Sequence, residues 1–102
     1  MTNEIHCLIV DDEPLARQSV ERLLSHAAGF ALTLSTGDSR QALTVAQSGV
    51  ADLIFLDIRM PELDGMGFLK QLNEHTFAKD GRPYVVLVTA FDQFALQAFD
   101  YE

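Results

Sequence analysis

Cysteine is almost absent: Cys7 stands alone among 102 residues, so it has no partner for a disulfide within the chain. A solitary cysteine inside an apolar run reads as a small core residue, and the expected setting is a reducing one, the cytoplasm. Basic residues are scarce as well. Seven lysines and arginines against fifteen aspartates and glutamates give a net charge of −8. Nucleic-acid affinity rests largely on cations that neutralise phosphates, so this segment is not expected to contact nucleic acid directly. No apolar run approaches the length of a membrane span, and the N-terminus lacks a basic region leading into a cleavable apolar core. The three histidines, His6, His26 and His75, are scattered without metal-ligand spacing.

What remains is a chain whose hydrophobic fraction, 48%, is enough for one folded domain with a core. Strand-like and helix-like segments alternate. Residues 5–10 form an apolar run, after which Pro14 opens a helical stretch. Ala16, Val20, Leu23, Leu24 and Ala27 recur there at the offsets of one buried face, with Gly29 as the stop. A second strand is expected from Ala31 to Thr36, followed by Gly37 and by Asp38 as the cap of a second helix that Gly49 ends. Residues 52–57 are almost continuously apolar, which predicts a strand buried on both faces. After a loop from Ile58 to Gly65, Phe68, Leu69 and Leu72 mark a third helix. Tyr84 to Thr89 is the fourth strand, and Phe91, Phe94, Ala95, Ala98 and Phe99 follow helical spacing. Four successive strand–helix pairs predict an α/β domain, a doubly wound parallel sheet with right-handed crossovers and helices on both faces.

The acidic residues at two strand ends carry the chemistry. Asp11 and Asp12 follow the first apolar run, and Asp57 closes the third. Asp12-Glu13-Pro14 taken alone is a good helix start, and Asp57 taken alone is an ordinary residue before a turn. If the two runs are neighbouring parallel strands, all three carboxylates project from the carboxyl edge of the sheet, where ligands bind in this architecture. Like charges gathered there call for a cation. Few, hard oxygen ligands suit Mg²⁺, with Asp12 and Asp57 as direct ligands and Asp11 acting through water. Asp57 would then serve as a carboxylate nucleophile toward phosphorus. The Thr89 hydroxyl, at the end of the fourth strand, would donate to a phosphoryl oxygen, with Ala90 leaving room beside it; a plain strand-end or capping role is its structural alternative. Asp52 starts its strand and belongs to the opposite edge, while turn and cap roles account for Glu62 and Asp64.

The stretches Val10-Asp11-Asp12-Glu13-Pro14-Leu15-Ala16-Arg17, Leu56-Asp57-Ile58-Arg59-Met60-Pro61-Glu62-Leu63-Asp64-Gly65 and Val88-Thr89-Ala90 together resemble the receiver domain of two-component response regulators. Thr89-Ala90-Phe91-Asp92 with Ala95-Leu96-Gln97-Ala98-Phe99 resembles the LytR/AlgR branch, whose receivers usually precede a LytTR DNA-binding domain. The resemblance implies a flavodoxin-like fold with strand order 2-1-3-4-5. It implies Asp57 as the phosphoacceptor, charged by a sensor histidine kinase, and Asp11 and Asp12 as the acidic pair that positions Mg²⁺. Arg59 matches the residue whose backbone carbonyl completes the metal shell, Thr89 the switch hydroxyl, and Pro61 and Gly65 the turn residues of the site loop. Such a domain is a phosphoacceptor and not a turnover enzyme. The family's fifth strand, with a lysine before a proline, its switch aromatic and its last helix have no counterpart here, and Lys70 and Lys79 lie on or after the third helix. The expectation is therefore a receiver over residues 1–102 that stops before the fifth strand and carries no output domain, with self-association through the fourth-strand edge and last helix.

Three alternatives compete. A haloacid-dehalogenase-type phosphatase resembles Asp-x-Asp at its nucleophile, whereas Asp57 precedes Ile58-Arg59. A nucleotide binder would have a small-residue loop after the first strand, where Asp11-Asp12-Glu13 would repel phosphate. The serious competitor is a non-catalytic receiver-like module that acts by dimerisation.

Overall fold

The computed structural model describes residues 4–60, 63–78 and 81–88. Strands β1 (Ile5–Val10), β2 (Phe30–Thr36), β3 (Leu53–Asp57) and β4 (Tyr84–Val88) alternate with helices α1 (Pro14–Ser25), α2 (Ser39–Gln47) and α3 (Gly65–Glu74). The strands form one parallel sheet in the order β2-β1-β3-β4. The first crossover steps outward from β1 to β2, and the next two run back in the other direction. With right-handed connections, α1 therefore lies on one face and α2 with α3 on the other.

The core follows from that layering. Leu8, Val10, Ile54 and Leu56 point from the central strands toward Ala42, Leu43 and Ala46 of α2 and Phe68, Leu69 and Leu72 of α3, with Leu34, Val85 and Leu87 packed around them. Full burial of side chains such as Leu8, Ile54 and Phe68 contributes about 1.5–3 kcal/mol each. On β1, Cys7, Leu8, Ile9 and Val10 are all buried, so β1 is the strand covered on both faces. The same expectation for β3 is corrected: Ile54 and Leu56 are buried, but Leu53, Phe55 and Asp57 are only half-buried. The α2–α3 layer covers one face of β3, and α1 sits over β1 and β2.

The predicted buried face of α1 also needs correction. No residue of α1 is buried, and Leu15 and Leu23 are 72% and 71% exposed. Among the described residues α1 is the one helix on its face of the sheet, so the flank carrying Leu15, Ser19 and Leu23 has no neighbouring helix. The helix ends at Ser25 with His26 as its cap, leaving Ala27 outside, and Gly29, at φ +91°, turns the chain into β2. Elsewhere the capping signals hold. Asp38 accepts from the Arg40 and Gln41 N–H groups at the start of α2, and Gly49, at φ +83°, follows its end. A bulge places Cys7 opposite Leu32 but Leu8 opposite Leu34, so Thr33 is the extra residue of β2. The helical spacing over residues 91–99 lies outside the described residues.

Candidate functional site

Parallel pairing of β1 with β3 sets Val10 opposite Leu56, so both strands end at the same edge. The residues that follow them meet there: one carboxylate oxygen from each of Asp11, Asp12 and Asp57 lies within 4.8 Å of the others. Asp11 is buried at 7% exposure, Asp12 is exposed and Asp57 half-buried. The cluster thus runs from the protein interior to solvent. Asp52 lies at the far edge, as expected, where its carboxylate accepts from the His6 N–H at 2.9 Å.

Backbone contacts hold two of the three carboxylates, those of Asp11 and Asp57. Asp11 Oδ1 accepts from the Glu13 N–H at 2.9 Å, which turns the chain into α1. Glu13, not Asp12, occupies the N-cap, with no side-chain cap bond, and Pro14 follows inside the first turn. Asp57 Oδ1 accepts from the Arg59 N–H at 3.2 Å. The loop beyond Asp57 is closed by Gly65, whose N–H donates to the Ile58 carbonyl at 2.7 Å. A side chain on Gly65 would place its Cβ 2.5 Å from Ile58 Cα and 2.6 Å from the Asp57 carbonyl oxygen. Only glycine lets α3 start so close to the strand end. Ile58 and Met60 are buried beneath the loop, and the Leu63 N–H donates to the buried Ser39 hydroxyl of α2 at 3.2 Å. Asp64 caps α3 through the Gly67 N–H at 2.8 Å.

The electrostatics follow from this crowding. Burial pushes the Asp57 carboxyl up to about 6, and the neighbouring charges of Asp11 and Asp12 and a hydrogen bond with the Asp11 carboxyl push the same way, while the Arg59 N–H opposes them. Carboxylates held this close are stabilised by a shared proton or by a cation.

Of the residues singled out from sequence, the structure brings Asp11, Asp12 and Asp57 together and puts Arg59 beside them through its backbone. Thr89 and Pro61 lie outside the described residues. Sequence reasoning missed two contributors. Ser39 anchors the loop from a distant helix, and the Arg17 guanidinium donates to the Asp11 backbone carbonyl at 2.7 Å. Arg17 stands inside the first quoted motif, but nothing in its spacing says which atom it reaches.

A doubly wound parallel sheet with three acidic residues at its carboxyl edge is the architecture of a receiver domain. The chain belongs to the response regulator receiver domain family, whose sequence profile matches residues 7–102, and it is a receiver domain of a two-component response regulator. It is similar to the positive alginate biosynthesis regulatory protein of Pseudomonas aeruginosa, with 43% identity over 96 residues, covering 93% of this chain and 37% of that protein. It is similar also to the transcriptional regulatory protein BtsR of Escherichia coli strain K12, with 35% identity over 97 residues, 94% of this chain and 38% of the relative. The chain thus spans well under half the length of these curated relatives. The crystal structure of the response regulatory domain of mrkE from Klebsiella pneumoniae superposes with a TM-score of 0.81 at 32% identity, covering 95% of this chain and 76% of that one. The response regulator domain of Thermotoga maritima CheB, at 22% identity, shares the fold with a TM-score of 0.82 over 96% of this chain and 72% of its own.

Proposed function

We propose that Asp57 accepts a phosphoryl group from a phosphohistidine of a sensor histidine kinase. The convergence of the Asp11, Asp12 and Asp57 carboxylates at one sheet edge carries this reading. A carboxylate oxygen of Asp57 forms the new bond to phosphorus as the phosphorus–nitrogen bond of the donor breaks, and the departing imidazole nitrogen takes up a proton. Asp57 is half-buried, open enough to meet an incoming group, while the Arg59 N–H orients one of its oxygens. The donor set is all oxygen, compact and partly solvent-facing, which fits Mg²⁺. Asp11, Asp12, Asp57 and the Arg59 carbonyl would hold the ion, and when bound it neutralises charge on the phosphoryl oxygens. Thr89 is assigned the hydroxyl that donates to the transferred group.

On this reading the domain is a switch, not a turnover enzyme. The two relatives are named as regulators, one of them transcriptional, which supports control of transcription through an output domain, of the LytTR type that the sequence resemblance implies. Its proposed place is the cytoplasm; among the described residues no helix is long and apolar enough to cross a membrane. Self-association is proposed through β4, where Tyr84 and Val86 are 80% and 44% exposed on the sheet face away from the core.

The test is incubation with acetyl phosphate and Mg²⁺, read by intact mass. Wild type is expected to gain a weak or short-lived label of one phosphoryl group, lost in Asp57→Asn and on chelation. Label that persists in Asp57→Asn, or no label on the wild type, refutes the assignment.

A further inference from the structure

We propose that Arg17 and Gly37 form a latch that positions Asp11 and Asp12 for a divalent cation, an inference that rests on the metal-site reading above. A guanidinium bonded to the backbone of the acidic loop is puzzling at first, because a nearby cation should oppose binding of another cation. Its geometry points to a different job. Arg17, on the first turns of α1, donates from NH1 to the backbone carbonyl of Asp11 at 2.7 Å, leaving the Asp11 carboxylate to the Glu13 N–H and to the cluster. That carbonyl belongs to the peptide joining Asp11 to Asp12, so holding it sets the direction in which both side chains leave the loop. The other side of Asp11 is held by β2, since its N–H donates to the Thr36 carbonyl at 3.1 Å.

Gly37 comes directly after Thr36 and gives the guanidinium its space. A Cβ there would lie 3.0 Å from Arg17 NH1, 3.4 Å from Asp12 Cα and 3.5 Å from the Asp11 oxygen. The long, flexible arginine is the partner that would give, by a few tenths of an ångström, and in giving it would lengthen its bond to the carbonyl. Residues 36 and 37 therefore grip the acidic loop twice, once through the Thr36 carbonyl and once by leaving room for Arg17. Arg17 touches no reacting group on this account and acts through Asp11 and Asp12 as a positioning residue.

Three roles for Arg17 give three signs. A bare charge effect makes loss of Arg17 tighten Mg²⁺ binding. A merely structural role lowers the melting temperature and leaves Mg²⁺ affinity alone. The latch weakens Mg²⁺ binding. The experiment is an MgCl₂ titration of the full chain followed by amide chemical shifts, on wild type, Arg17→Met, Arg17→Lys and Gly37→Ala. Arg17→Met is expected to weaken Mg²⁺ binding about tenfold, the lower end for an outer-shell partner of a metal ligand. Its Asp12 amide should shift already in metal-free protein, reporting the lost bond to the Asp11 carbonyl. Arg17→Lys, which keeps a donor, should recover part of the affinity. Gly37→Ala should weaken binding with no change of charge. Unchanged or tighter Mg²⁺ binding by Arg17→Met overturns the latch; if that variant does not fold, unchanged affinity in Gly37→Ala overturns it. A wild type that ignores Mg²⁺ overturns the metal-site reading and the latch with it, whereas a responsive wild type with unaffected variants overturns the latch alone.

Discussion

At Asp57 the demands of folding and of chemistry conflict. Its carboxyl is raised from the ordinary 3.8 to about 6, by burial first and by Asp11 and Asp12 besides. A folded-state value above the unfolded one means that the proton is held more tightly in the native domain. The stabilisation that proton brings is complete below about 4 and is lost as the pH rises through about 6. At neutral pH the ionised group therefore weighs against the metal-free fold. Asp57→Asn is expected to raise the stability of metal-free protein at pH 7.5 by roughly 1 kcal/mol, discounted for the solvent that still reaches the group. Thermal melts from pH 7.5 to 4 should show the gap between variant and wild type closing. In the same melts, Mg²⁺ at ten times its dissociation constant should stabilise wild type by about 1.4 kcal/mol and the variant far less.

Among the elements, α3 is the one whose starting point decides the site. Gly65 begins it within 2.6 Å, at the position of an added Cβ, of the Asp57 carbonyl. Gly65→Ala forces the helix start and the strand end apart, and a cost of about 1–3 kcal/mol is expected, as for other overpacked positions. The loss should be visible in urea denaturation and, on the proposed role of Asp57 as nucleophile, should be accompanied by weaker phosphoryl uptake, because the displaced atoms include the Asp57 carbonyl. Unchanged stability would mean that the loop has slack the structure does not display. By contrast the start of α2 is secured locally, by Asp38 accepting from two backbone N–H groups, and α2 reaches the site loop through the Ser39 hydroxyl that accepts from the Leu63 N–H.

At the scale of the whole sheet, uneven coverage by the described residues is the main feature. One face carries a closed layer of α2 and α3; the other carries α1 over β1 and β2, with Leu53 and Phe55 half-buried beside exposed Tyr84 and Val86. Cross-strand pairing sets Leu53 against Tyr84 and Phe55 against Val86, so these four residues form one apolar surface. Association through it predicts a weight-average mass that rises with concentration in sedimentation equilibrium, and Tyr84→Lys with Val86→Lys should return the protein to monomer. A wild type that stays monomeric at high concentration would rule this surface out as a self-association site.

Much of this was legible in residue order alone. Strands from their apolar runs, α2 from Asp38 and Gly49, and the acidic pair and Asp57 at strand ends all follow from local chemistry, because capping, periodicity and turn preferences act over a few residues. Parallel order and crossover hand then put Asp11, Asp12 and Asp57 on one edge without reference to coordinates. Coverage was not legible: Leu23 has the spacing of a core residue and is 71% exposed, and β3 has the composition of a doubly buried strand yet alternates buried with half-buried residues. Burial depends on which element arrives from elsewhere, and no local pattern encodes that. Nor did spacing reveal that Arg17 reaches a carbonyl, that Gly37 leaves it room, or that Ser39 holds Leu63. The acidic cluster itself was written in the strand ends; how firmly it is held, and how far its charges shift one another, was decided only when three separate loops were brought within hydrogen-bonding distance.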